Sequence, residues 1–138
     1  MKKLIYLFAV AALLAACSGP KGMVKIEPNG SEVAEQDSVE YELIVFDTGF
    51  ETWYMLQDSP ARYRSQQYYE NWNRQYVSEW NYLATQPGRR SFFQSIIGYD
   101  PVEDYGFELN HKLFYYFQYV EHVLRIPILP NGPVGMIY

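Results

Sequence analysis

The chain has 138 residues, with 16 acidic against 11 basic side chains and a formal charge of −5. That length suffices for one compact domain and not two, and the acidic balance argues against nucleic acid or an anionic lipid surface as partner. Cys17 is the one cysteine, so no disulfide can form within the chain and stability has to come from packing.

Met1-Lys2-Lys3 is a cationic start. The apolar run from Leu4 to Leu14 is too short for an ordinary transmembrane helix and suits the hydrophobic region of a signal peptide. Leu14-Ala15-Ala16-Cys17 resembles the lipobox of bacterial lipoproteins. The resemblance implies that residues 1–16 are removed, that the Cys17 thiol receives a diacylglyceryl group, and that the new amino terminus is acylated too, with chains of the palmitate type. Loss of Lys2 and Lys3 takes the formal charge from −5 to −7 over the remaining 122 residues. No second apolar run approaches the roughly 18 residues that span a bilayer, so the lipid is the expected membrane attachment. Ser18 stands where an inner-membrane retention signal would have aspartate, which favours the outer membrane. Residues 18–22 also lack the acidic cluster of surface-exported Bacteroidota lipoproteins, which favours a domain facing the periplasm.

Residues 17–38 read as the lipidated cysteine and a flexible polar tether with a reach of roughly 25 Å. Within it, Asp37-Ser38-Val39 resembles the short O-glycosylation sequon of exported Bacteroidota proteins, with Ser38 as acceptor. An acidic turn before the first strand explains the same residues.

The globular domain is expected over 39–126. Tyr41 to Phe46 is β-branched and aromatic and predicts a short buried strand. Phe50, Trp53, Tyr54 and Leu56 can share one face of a short helix ending before Asp58. Ser59-Pro60 is a helix-start signal, serine as N-cap and proline at the first position, and it predicts a long helix strongest over 66–85 and ending near Pro87-Gly88. Glu70 and Arg74, four apart, predict a supporting ion pair. Residues 92–99 fit a second strand or a helical turn. Turn chemistry from Asp100 to Gly106 leads into a last helix over about 107–124, apolar nearly all round, with a stripe of Leu109, Leu113, Tyr116, Val120 and Val123. The prolines of 127–138 predict an extended tail over the domain. The expected class is therefore α+β, mainly helical: a small single domain with two principal aromatic-rich helices and one or two short strands.

Several of these stretches also resemble, together, a known family. Tyr41 to Phe50, Tyr68-Tyr69-Glu70-Asn71-Trp72-Asn73, Glu79-Trp80-Asn81, Tyr99-Asp100-Pro101 with Asp104-Tyr105-Gly106, and Leu113 to Tyr119 are similar to an uncharacterised family of Bacteroidota lipoproteins carrying a domain of unknown function. The likeness covers about 39–125 and extends to the signal peptide. It implies an organism group and a compartment, and it implies no activity, catalytic residue or ligand.

Candidate chemistry is sparse. Glu108 and His111 have the helical spacing at which a carboxylate and an imidazole share a metal, but the other histidine, His122, has Tyr119 where its glutamate would stand. A helix-surface histidine near a carboxylate is the better reading, so no metal or other cofactor is expected beyond the lipid on Cys17. Asp100, Asp104 and Glu108 could pair as glycosidase acids, yet a turn, a cap and a helix-dipole partner account for each. No nucleophile elbow or phosphate loop is present, and no enzyme is expected.

The tyrosines remain, 13 of them once Tyr6 is removed. They either form a core whose polar edge is satisfied by Asn71, Asn73 and Asn81, or supply a contact surface. Trp53, Trp72, Trp80, Arg74, Arg89 and Arg90 are the candidate interaction residues. The basic segment 62–90 could instead face the acidic region of Glu40, Glu42, Asp47 and Glu51. The expected function is a membrane-anchored accessory domain that binds an envelope protein; the alternative is a glycan or peptidoglycan module that stacks sugars on Trp53, Trp72 or Trp80.

Overall fold

The computed structural model describes residues 21–30, 39–89 and 91–133. The signal peptide, Cys17, Ser38 and Arg90 lie outside the described residues. Among the described residues, two antiparallel strands and three α-helices make an α+β domain. No helix among the described residues is long and apolar enough to cross a membrane.

Strand β1, Val24–Pro28, pairs with β2, Tyr41–Val45, in a register that sets Val24 opposite Val45 and Glu27 opposite Glu42. β1 lies inside the segment expected to be a tether. Its alternation is real but brief: Val24 is buried and Ile26 half-buried on one face, while Lys25 and Glu27 are exposed on the other. Gly22, at φ 75°, leads into it, and a side chain there would run into the Phe92 carbonyl.

Asp47 caps helix α1, Thr48–Gln57, by accepting from the Gly49 amide at 3.0 Å. The helix expected to start at Ser59-Pro60 is interrupted. Pro60–Arg62 makes one 3-10 turn, and Tyr63 leaves it extended at ψ 137°. Two side chains draw this segment back: Arg62 Nη2 donates to the Gln57 carbonyl at 3.0 Å, and the Tyr63 hydroxyl donates to Asp58 at 2.5 Å. The long helix α2, Gln66–Thr85, starts afresh from Ser65, whose hydroxyl accepts from the Tyr68 amide.

Residues 92–99 are neither strand nor helix. Their regular partners are side chains of α2. Asn81 donates to the Ile97 carbonyl at 3.0 Å and accepts from its amide at 2.8 Å, and the Trp80 indole donates to the Ser95 carbonyl at 2.9 Å. Those bonds serve the backbone in place of a ladder.

Helix α3, Gly106–Gln118, buries Leu109, Leu113, Tyr116 and neighbours against α2 and then widens into a π-helical turn, Tyr119–Val123. Val123, expected on the buried stripe, is exposed because the wider turn rotates it away. Beyond it, the Glu121 carboxylate accepts from the Ile128 and Leu129 amides, and buried Ile128 joins the core.

The α2 and α3 interface buries Tyr69, Tyr76 and Tyr116. Tyr76 stacks on Phe117 at 4.9 Å, and its hydroxyl donates to Glu121 and accepts from Gln118. Buried Asn73 donates to Asn110, whose side-chain oxygen also accepts from the Tyr99 hydroxyl. Asn73 and Asn81 thus satisfy buried groups, while Asn71 is exposed.

Candidate functional site

On α3, aromatic residues four before and four after His111, Phe107 and Tyr115, fall on the same helix face. The turn after α1 adds Tyr63, α1 adds Tyr54 and α2 adds Tyr69. The imidazole is consequently boxed by rings at centroid distances of 4.6 Å to Tyr115, 4.8 Å to Tyr63, 5.1 Å to Tyr69 and 5.6 Å to Phe107. It is 2% exposed, not the surface histidine its spacing suggested. Nδ1 lies 2.7 Å from the Tyr54 hydroxyl. With that phenol as donor, the ring proton sits on Nε2, which has no partner among the described residues. Burial pushes the His111 pKa below its ordinary value, with Asp58 pulling weakly the other way.

This box forms one wall of a cleft of about 390 Å³ bordered by β2, the end of α1, and the first turns of α3. Glu42, Asp58 and Glu108 contribute carboxylates; the cation at its edge, Lys112, pairs with Glu51 at 2.7 Å. The Tyr63 hydroxyl, bonded to the Asp58 carboxylate, has its pKa pushed up to about 12, first by that bond and then by burial. A second hollow of about 500 Å³ continues past Tyr41, Glu42 and Phe107, which line both, to Glu40 and Asp104. Together they make one open, tyrosine-lined, acidic groove. Among the described residues no cluster of three histidine, cysteine or carboxylate side chains is placed to hold a metal ion.

The described residues among those expected to form an interaction surface do not share one site. Trp80 is fully buried, so it packs the core and cannot stack a sugar. Trp53 is half-buried against Tyr115 and Tyr119, and Trp72 is half-buried against the core. Neither hollow is lined by a tryptophan. Arg74 is exposed and donates to the Pro101 carbonyl, Glu70 accepts instead from Gln66, and the expected Glu70 to Arg74 pair is replaced by these bonds. Arg89 is exposed and its carbonyl accepts from the Phe92 and Phe93 amides. Of the acidic residues set against the basic segment, Asp47 instead caps α1 and Glu51 pairs with Lys112. Asp104 accepts from the Gly106 amide and Gln66, and Asp100 from the Val102 amide, as turn groups do, while the N-cap position of α3 is Tyr105 and carries no side-chain cap bond.

The histidine box escapes sequence reasoning because three of its rings arrive from other elements; only the Phe107 and Tyr115 spacing was visible. A profile described as a family of unknown function (DUF6146) matches residues 5–131. No curated protein and no solved structure matches the chain.

Proposed function

The chain belongs to the DUF6146 family, and from that premise we propose that it is a Bacteroidota-type envelope lipoprotein, anchored through Cys17 in the outer membrane, facing the periplasm, and binding another envelope protein without turning over a substrate. The lipobox-like Leu14-Ala15-Ala16-Cys17 supports the anchor. The observation that carries the binding role is the open groove, in which tyrosine rings and carboxylates meet beside a histidine whose pKa burial lowers. Rings with polar tips give broad contact at low conformational cost, the property that enriches them at protein interfaces.

The test is to cross-link the full chain in its native envelope, purify it beside a Cys17→Ala form, and identify the enriched species by mass spectrometry. One envelope protein recovered with the anchored form is expected; recovery of nothing, or equal recovery with both forms, refutes the reading. Glycan binding is the second reading. Exposed Tyr63 beside Asp58 and Glu108 supports it, and no tryptophan lines the groove. Calorimetric titration with purified cell-wall fragments separates the two.

A further inference from the structure

We propose that the partner's contact is an extended, basic peptide segment that adds as a third strand to the free edge of β2, its cationic side chains meeting the carboxylates of the groove. The inference rests on the protein-binding reading above and names the chemistry of the partner.

The ladder register identifies the free edge. Asn29 donates to the Glu40 carbonyl at 2.7 Å and Phe46 to the Met23 carbonyl at 3.1 Å, which marks the pairs 29 with 40 and 23 with 46 as hydrogen-bonded. Alternation in an antiparallel ladder then gives Glu42 and Ile44 their bonds to β1 and turns the N–H and C=O groups of Tyr41, Leu43 and Val45 outward. The sheet has no third strand among the described residues, and no backbone hydrogen bond reaches those three residues from another element. The groove runs along this edge: Tyr41, Glu42 and Leu43 line it, whereas β1 contributes none of its five residues. The edge is unpaired and borders the cleft at Tyr41, Glu42 and Leu43, with Leu43 itself 4% exposed, and an unpaired edge beside a cleft is where strand addition takes place.

Two observations select a basic occupant. Glu40, Glu42, Asp58, Asp104 and Glu108 border the groove, and its lysine is already paired. Glu27 and Glu42, both exposed, sit directly opposite one another across the sheet, an arrangement that costs stability and that a cation placed beside Glu42 on a third strand relieves. A second copy of this chain fits poorly, because pairing β2 with itself would set the Glu42 residues of both copies on one sheet face.

The probe is a fluorescein-labelled peptide of alternating lysine and valine, added to the full chain in detergent and followed by anisotropy, with alternating glutamate and valine as its counterpart. Binding of the lysine peptide alone is expected, weakened at least tenfold by N-methylation of its valines and by Glu42→Lys. Glu27→Lys relieves the same repulsion on the strand away from the groove and is expected to keep the affinity within about threefold. Neither variant should lower the thermal midpoint, so a lost fold is not confused with a lost site. Amide exchange by NMR should slow at Tyr41, Leu43 and Val45 when the lysine peptide is present. Equal binding of the glutamate peptide, no effect of N-methylation, or equal losses from Glu27→Lys and Glu42→Lys overturns the proposal. Cross-linking to an envelope protein with no peptide bound at this edge also overturns it while leaving the protein-binding reading intact; saturable binding of cell-wall fragments in the groove overturns both.

Discussion

Removing the Tyr54 hydroxyl tests how the groove wall is held. In Tyr54→Phe, His111 Nδ1 loses its partner at 2.7 Å inside a box where the imidazole is 2% exposed, so no water replaces it. Stranding a buried polar group costs about 1–3 kcal/mol. His111→Phe is milder at neutral pH, because Tyr54 is half-buried beside the cleft and its hydroxyl can turn toward water. The double variant strands nothing, so the two changes should be non-additive by about 1–2 kcal/mol. A pH arm gives an independent check. Burial lowers the folded-state pKa of His111, while the unfolded ring titrates near its ordinary 6.5. As pH falls below that value the unfolded chain takes up a proton the folded chain resists, so stability declines until the folded ring also titrates. His111→Phe removes this contribution. Urea unfolding followed by tryptophan fluorescence at about pH 7.5 and 5.5 reads both effects, with the linear extrapolation giving each stability. Additive single variants, or the same loss on acidification in wild type and His111→Phe, would refute the reasoning.

Asn81→Ala strips both side-chain bonds from the Ile97 backbone, whose residue is 1% exposed, and should cost about 2–4 kcal/mol in urea unfolding. A loss under about 0.5 kcal/mol would mean that residues 92–99 are held by packing alone. Gly22→Ala meets both a φ of 75° and the Phe92 carbonyl, so it should loosen β1 and speed amide exchange at its hydrogen-bonded positions, with unchanged exchange counting against the close approach. At high pH the tyrosines oppose ionisation. Burial raises the Tyr99 and Tyr119 pKa values to about 12, and the bond to Asp58 raises Tyr63 equally. Stability from these groups is full below pH 10 and is lost as pH climbs through 10 toward 12, so phenolate absorbance should rise late and together with unfolding. Smooth ionisation near pH 10 in the folded chain would contradict it.

What could be read in the sequence follows the length of each periodic signal. Helix α2 carries Tyr69, Tyr76 and Trp80 at steps of four and seven, and its body was legible, as was β2, with three consecutive β-branched or aliphatic residues. β1 was hidden because two inward residues and a proline resemble a tether when the partner strand is not considered. Ser59 and Ser65 offer equally good caps; the choice between them is made by Arg62 and Tyr63, which bind back onto the end of α1. The same limit applies to function. Trp80 looked like a stacking platform because its ring is large, yet Phe93 and Phe117 enclose it. The groove draws on β2, α1 and α3, and a free strand edge is a property of pairing that no single segment displays.

The most direct test places a photo-activated cross-linking residue in the cell at Tyr63, on the groove, and separately at Tyr82, which is exposed on α2 and lines neither hollow. The account predicts that the Tyr63 position captures one envelope protein through a lysine- or arginine-rich extended segment, and that Tyr82 captures none. Capture from Tyr82 alone, or from neither position, would contradict it.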